Sequence, residues 1–535
     1  NKFPKSFRFI LGNEICERFS YYGNKVLLAL YLNTYMGYSE DTSTSIVHTF
    51  NFVAYAFPLL GAYLGDGVLG KFKTIFYFSI IYVIGSIFLS VTSIDGVTGS
   101  EPGHRSPWGI AIGLFLIAMG TGGIKPLIST FAGDQLKRNQ SHLLERLFQI
   151  FYWCVNLGSL FATVSVPLLK RYVGYWLAFG IPAVFLTIST IIFVSGSSHY
   201  VKRPVTESIL LTAAKVVGFA IREKYRQFKA KYFKRTVYNN PFDRNNGEDK
   251  SWLDLSKVQY DPDTVDSIKC ALNVLTVFIP LPFFWAIYDQ TGSRWTYQAE
   301  SLDLCVFGKK VTWLCLEAEQ IQALNPLFIM MFIPIVEYVI YKPLKRFGIN
   351  FKPLIKMAIG MWLAVLSFII SMFLQIAIDK NPPGTISIWL QLPQYLVLTI
   401  GEILISIPGL EFAYSEAPPS MKAIIMSGWL LAVSLGNIFV VFIVSAVNLG
   451  KQWVEFLVFA VVMSLFIFVY MYIAYKFKSS TASNNQDNQF KSSKDEDENS
   501  ILTQDSSLGD RFVIIDSNDD PDGDYRAIEL ESNLI

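Results

Sequence analysis

The sequence predicts an all-α membrane protein of twelve transmembrane helices in two groups of six, and three observations lead there. First, only 16% of the 535 residues are charged while 52% are hydrophobic, whereas soluble domains carry about a quarter charged residues. Second, the chain holds 11 Trp and 27 Tyr, residues that favour the edges of a bilayer. Third, apolar runs long enough for the roughly 20 residues a spanning helix needs recur near 9–36, 42–65, 75–93, 107–132, 146–169 and 172–196. They resume near 266–295, 320–343, 352–378, 387–413, 420–448 and 452–476. These runs are too continuous for barrel strands, which would be about ten alternating residues each. The net charge of +2 matters less than its distribution.

Residues 1–8 form a short basic cytoplasmic segment (Lys2, Lys5, Arg8) with no cleavable signal pattern, so span 1 reads as a retained helix. The first bundle covers 9–196. Span 1 places Glu14, Glu17, Arg18, Tyr21, Tyr22 and Lys25 at helical spacings that fall on one stripe. Ionisable groups inside a span are costly and mark function by default. A lone Glu17–Arg18 pair could be an inert packing bridge, but the whole stripe must face water or a polar interface. Span 2 carries His48 and Tyr55 on one face; His48 is either a hydrogen-bonded core residue or, being titratable near neutrality, a proton carrier. Lys71 and Lys73 follow. Span 4 holds Lys125 in Gly120-Thr121-Gly122-Gly123-Ile124-Lys125-Pro126, where glycines and proline loosen the helix, and span 5 contributes Asn156.

Cations alternate between connections. Lys137, Arg138 and Arg146 join Lys71 and Lys73 on the side of residues 1–8, which the positive-inside bias makes cytoplasmic. Lys170 and Arg171 are a local exception. Residues 197–265 form a basic cytoplasmic linker, with Arg222, Lys224, Arg226, Lys229, Lys231, Lys234 and Arg235. Its stretch from about 206 to 235 reads as solvated chain, or alternatively as an amphipathic helix on the membrane surface.

The second bundle covers 266–477. Span 7 runs Phe284-Trp285-Ala286-Ile287-Tyr288-Asp289-Gln290-Thr291-Gly292-Ser293-Arg294-Trp295. Span 8 holds Asn325, span 10 holds Glu402 and Glu411 around Pro408-Gly409, and span 11 holds Trp429 and Asn437. Cys305 and Cys315 share an outer connection whose Phe307-Gly308-Lys309-Lys310 can turn, which suggests a disulfide. Cys16, Cys154 and Cys270 read as packing residues. Lys345, Arg346, Lys352 and Lys356 continue the cytoplasmic bias, so both termini face the cytoplasm. Residues 478–535 form an acidic tail with disordered composition; Asp497-Glu498-Asn499-Ser500-Ile501-Leu502 within it resembles an acidic dileucine sorting signal.

No GxxxxGK[ST] or HExxH motif occurs, and the four His form no metal-like cluster. No catalytic residue, metal, organic cofactor or nucleic-acid partner is expected. Uphill transport must then draw on an ion gradient, and protons suit a path of Glu, Asp and His.

Glu14-Ile15-Cys16-Glu17-Arg18-Phe19-Ser20-Tyr21-Tyr22-Gly23 resembles the ExxER signature of the proton-coupled oligopeptide transporter family within the major facilitator superfamily. Gly65-Asp66-Gly67-Val68-Leu69-Gly70-Lys71-Phe72-Lys73 resembles that superfamily's loop between helices 2 and 3. Phe284 to Trp295 and Gly409-Leu410-Glu411-Phe412-Ala413-Tyr414-Ser415 are similar to further family segments. The likeness covers nearly all of 9–477 and is closest to animal intestinal and renal peptide carriers. It implies a monomeric symporter that imports di- and tripeptides with protons by alternating access. Glu14, Glu17 and Arg18 would form with Lys125 a charge network; Lys125 would hold the peptide carboxylate and Glu411 its amino group. Asn156 and Asn325 would bond the peptide backbone, and Tyr21, Tyr22, Tyr55, Trp285 and Trp429 would shape side-chain pockets. Lys25 would sit where those carriers have Arg, and His48 and Asp289 would couple protonation to the outer gate.

Three departures accompany the resemblance. Lys25 lacks arginine's bidentate grip. Asn273 and Glu337 stand where the animal carriers have an Arg–Asp pair, so that pair is expected to be absent. Only Lys380-Asn381-Pro382-Pro383-Gly384 joins spans 9 and 10, where the relatives carry a large external domain. The plasma membrane is the expected location, with an endolysosomal membrane as the alternative. Rival readings are nitrate or histidine as cargo, or a peptide-sensing receptor.

Overall fold

The computed structural model describes residues 3–99, 101–136, 144–205, 208–232, 251–305, 315–336, 343, 346, 352–416, 418, 421–446 and 450–477. Glu337, Lys137, Arg138, Lys234, Arg235, Lys345, the Phe307–Lys310 turn and the whole tail with its sorting-like motif lie outside the described residues.

Helices coincide with the apolar runs. In the first half these are α1 (Ser6–Leu30, continued by a π-helical turn Tyr31–Tyr35), α2 (Glu40–Ala56), α3 (Pro58–Gly67), α4 (Lys71–Thr92), α5 (Trp108–Asp134), α6 (Leu144–Tyr172) and α7 (Tyr175–Ser195). After the linker helix α8 (Ile209–Tyr232) come α9 (Pro262–Val277), α10 (Leu281–Tyr288), α11 (Arg294–Glu300), α12 (Leu324–Ile335), α13 (Pro353–Lys380), α14 (Leu392–Glu416), α15 (Lys422–Ala446) and α16 (Gln452–Lys476). Among the described residues, nine helices are long and apolar enough to cross a membrane, with α2–α3 taken together, and α9–α11 add a tenth bent by 48°. Helix α1 fails that test because it carries Glu14, Glu17, Arg18 and Lys25, and α12 is followed only to residue 336.

Local chemistry sets the ends and breaks. Ser39 caps α2 by accepting from Thr42 N at 3.2 Å, and Asp261 caps α9 by accepting from Thr264 N at 3.0 Å, with Pro262 following. Proline lacks an amide hydrogen, so Pro58 and the Pro280–Pro282 pair mark the breaks after α2 and α9. Helix α1 packs on α6 and α7, α4 on α5 and α7, α13 on α14 and α16, and α10 on α15. Across the halves, α2 runs along α15 and α6 meets α12. Apolar side chains such as Ile84, Phe115, Phe161, Ile191, Phe373, Phe442 and Leu465 point outward, as lipid contact demands.

The linker departs from the solvated reading. Its basic stretch forms α8, whose Ala213, Val216 and Ala220 are buried. Ser256, in the 3-10 turn Trp252–Val258, donates to Val216 O at 2.9 Å. The exposed cations occupy other faces, so the stretch forms the helix that the sequence offered as the alternative, with its small apolar residues buried.

Helices α3 and α5 touch backbone to backbone. A Cβ on Gly61 would lie 2.8 Å from Gly123 Cα and 2.9 Å from its carbonyl carbon. Gly61→Val should therefore lower the melting temperature of the purified chain, by a destabilisation of about 1–3 kcal/mol, because backbone cannot yield as a side chain does. An unchanged melting curve would show that the helices separate freely here.

Candidate transport site

The charged stripe of α1 faces inward. Glu14, Glu17, Arg18 and Tyr21 are buried, and Tyr22 and Lys25 half-buried. Arg18 Nε lies 2.6 Å from Glu14 and 3.0 Å from Glu17, and Thr121 of α5 donates to Glu17 at 3.2 Å. One turn beyond Thr121, Lys125 places its ammonium 4.2 Å from the Tyr21 ring centroid and 3.7 Å from that of Tyr55. Lys125 Nζ is buried and finds no hydrogen-bond acceptor among the described residues; neither does Tyr21 Oη. Cation–π contacts stabilise the ammonium only partly, so it stands ready for an anionic partner.

A second group crosses between the halves. Lys25 Nζ pairs with Asp289 Oδ1 at 3.0 Å. Asn437 Nδ2 donates to Asp289 Oδ2 at 2.7 Å, and Asn437 Oδ1 lies 2.8 Å from His48 Nδ1. The other imidazole nitrogen, Nε2, lies 3.0 Å from Ser293 Oγ. Because the Asn437 amide donates to Asp289, its oxygen accepts, which assigns the proton to His48 Nδ1. Ser293 reaches His48 because its backbone (φ −137°, ψ −89°) breaks the helix between α10 and α11. His48, Asp289 and Lys25 are thus brought together, joined by Asn437 and Ser293, to which no role had been assigned. The signal for Asn437 was an amide inside an apolar span.

The aromatic residues form a wall on the second half. Trp285 and Trp429 have centroids 6.0 Å apart, and Trp285 and Tyr288 5.4 Å apart. Tyr288 donates to Asn325 Oδ1 at 3.1 Å, and Asn325 donates to Glu402 Oε2 at 2.7 Å. Asn156 is buried, with its amide on Tyr152 O at 3.0 Å.

Glu411 requires correction. It is exposed on α14, whereas Glu402 joins Asn325, and Tyr22 lies within electrostatic reach of Glu402, Arg18 and Lys25. From 402 to 411 a helix makes about two and a half turns, so the two carboxylates point to opposite sides. Glu402, an intramembrane carboxylate visible in the sequence, is the one that faces the other site residues.

Ion pairs close the molecule at the face where α2 and α16 begin. Arg294, deeply buried, meets Glu455 at 2.8 Å, Asp41 at 2.6 Å and Glu40 at 3.7 Å. Lys170 pairs with Glu319 at 2.7 Å and Glu317 at 3.0 Å, and Arg171 with Glu317 at 3.3 Å. These contacts account for the exceptional cations of that connection. Both acids follow Cys315, which is joined to Cys305 by a disulfide, and Arg171 Nη1 donates to Cys315 O at 3.2 Å.

Comparison with known proteins places this arrangement. Solute carrier family 15 member 1 of Mus musculus is 29% identical over 663 residues, covering 86% of this chain and 91% of its own. Solute carrier family 15 member 2 of Homo sapiens is 38% identical over 420 residues, covering 77% of this chain and 54% of its own. The crystal structure of the POT family transporter PepTSo superposes with a TM-score of 0.75 at 29% identity, covering 89% of this chain and 99% of that one. A proton dependent oligopeptide (POT) family transporter gives 0.67 at 31% identity, covering 86% and 99%. The molecule is accordingly a membrane transporter and not an enzyme. The sequence profile of the POT family matches residues 72–455, well over half the chain, and the protein belongs to that family.

Proposed function

We propose that this chain is a proton-coupled importer of di- and tripeptides, with twelve spans in the two-bundle major facilitator arrangement. The observation that carries the reading is Lys125: a buried ammonium with no acceptor among the described residues, on the half opposite Glu402. A zwitterionic peptide presents one carboxylate and one ammonium, so separated opposite charges between aromatic surfaces suit it. In place of Glu411, Glu402 receives the amino group, with Asn325 beside it. Asn156 and Asn325 serve the peptide backbone; Tyr21, Tyr22, Tyr55, Trp285 and Trp429 line the side-chain space. Kinship with the 29%-identical auto inhibited POT family peptide transporter supports the cargo. A bare anion such as nitrate fits poorly beside Glu402.

Protons are the coupling ion, and no other cofactor is required. Protonation of Asp289 removes the charge that holds Lys25, freeing Lys25 for the peptide carboxylate. Protonation of His48 turns Nε2 into a donor toward Ser293. Both events alter contacts that join the halves, so proton binding biases the equilibrium between outward- and inward-facing states. The closed ion-pair face is the outer one, both termini are cytoplasmic, the plasma membrane is the site of action (an endolysosomal membrane being the alternative), and the functional unit is a monomer.

The test is labelled dialanine uptake into proteoliposomes under an inward proton gradient. Glu402→Ala should lower uptake about 10- to 100-fold, matching a lost charge-assisted hydrogen bond, whereas Glu411→Ala should stay within about twofold of the parent. The reverse order would restore Glu411 as the amino-group partner. Saturable binding without accumulation would indicate a receptor, and robust nitrate uptake without dialanine uptake a different cargo.

A further inference from the structure

Beyond the transport path, the structure holds a cavity of about 600 Å³ at the end of the first bundle where α3 finishes and α4 begins. We propose that it binds a phosphate-bearing headgroup. Four cations, Lys71, Lys73, Lys202 and Arg203, line it with two carboxylates, Asp66 and Asp134. Asp134 is shared, lying 2.6 Å from Lys71 and 3.3 Å from Arg203. Lys202 donates to the neutral Ser197 Oγ at 2.8 Å and lies 4.1 Å from the Phe72 ring centroid. Positive charge therefore remains in excess.

The order of charges deepens the mismatch. Lys71 and Lys73 occupy the first turn of α4, which has no acidic residue and no side-chain cap, and the helix dipole there favours an anion. A solvated basic surface would obey the positive-inside bias equally well. It would not be expected to be concave, and this volume is that of a ligand pocket. The cavity wall includes Pro204 and Val205, the chain leading into α8, and a Cβ on Gly67 would lie 2.8 Å from Ser208 Cβ. A headgroup held here ties the linker to the first bundle. The chemistry suits either an anionic membrane lipid or a soluble inositol phosphate.

Purified full-length chain in detergent is titrated with a short-chain phosphatidylinositol bisphosphate, with inositol trisphosphate and with inorganic phosphate, and binding is read by native mass spectrometry and thermal shift. Saturable binding of the lipid, the trisphosphate or both is expected, weakening as salt rises. It should be at least about tenfold weaker in Lys73→Gln/Lys202→Gln, given the usual contribution of each cation near phosphate. Equal affinity for lipid and trisphosphate assigns recognition to the headgroup alone, and binding of the lipid only assigns the source to the bilayer. The single exposed variant Lys73→Gln replaces the double one if the latter melts early. No saturable binding of any probe up to about 1 mM, or unchanged affinity in a well-folded variant, overturns the proposal.

Discussion

Lys125→Met should abolish proton-driven dialanine accumulation, with uptake falling at least about 100-fold, while the melting temperature of the purified chain holds or rises. The two halves of this expectation share one cause. A buried ammonium that finds no acceptor among the described residues and rests on two phenol rings costs stability, since charges removed from water need a partner. Methionine fills nearly the same volume without that cost. On the proposed function, the peptide carboxylate in turn loses the partner whose charge offsets its own desolvation, a loss of about 3 kcal/mol at the upper end for charge-assisted bonds. Stability and activity should thus move apart, as they do where function maintains a strained site. Loss of both together would mean that Lys125 supports the fold, chiefly by balancing Glu14 and Glu17 against the single Arg18.

Arg294→Met should loosen the face that the ion pairs close. Arg294 is buried and meets Glu455 at 2.8 Å in a partly shielded pair, whereas Asp41 and Glu40 are more than half exposed. Water screens the latter two, so each contributes little. Removing the cation strands Glu455, and breaking a buried pair from one side costs about 3–5 kcal/mol. Arg294 and Glu455 belong to the same half, so that cost falls on stability. The shift toward an open face comes from the lost contacts to Asp41 and Glu40, about 0.2–1 kcal/mol each and at most about 30-fold together. The readout is maleimide labelling of Ser445→Cys, whose parent hydroxyl lies 3.1 Å from Ser45 across the halves. Labelling should accelerate in Arg294→Met and to a similar extent in Glu40→Gln/Asp41→Asn, because both variants remove the ion pairs that cross the halves. Equal rates in all three backgrounds would show that the ion pairs do not hold this face shut.

Much of the architecture was legible because lipid imposes one rule on every span: cover the backbone with a long apolar run. Hydropathy therefore marked α4, α7 or α16 without any knowledge of their neighbours. The stripe on α1 was legible for the same reason inverted, since Glu14, Glu17, Arg18 and Lys25 are too costly to face lipid. What could not be read was partnership. Nothing local tells Lys25 that its counter-ion is Asp289, 264 residues on, or that Lys170 and Arg171 meet Glu317 and Glu319. Between Glu402 and Glu411 the sequence offered two carboxylates on one helix, and likeness to a family segment selected the one whose helical phase points away. Helix α8 was legible only as an alternative, because its buried residues are small, Ala213 and Ala220 beside Val216, and its charges dominate the composition.

The Cys305–Cys315 bridge has a consequence for timing. Glu317 and Glu319 follow the closed loop by two and four residues, so the bridge limits where they can sit on their own half even while their contacts to Lys170 and Arg171 are broken. Such pre-ordering lowers the conformational entropy lost when the ion pairs form again, without adding a contact. The bridge thereby favours rapid closing of the ion-pair face, and so, on the proposed function, the number of cycles completed per second rather than the affinity for any one peptide.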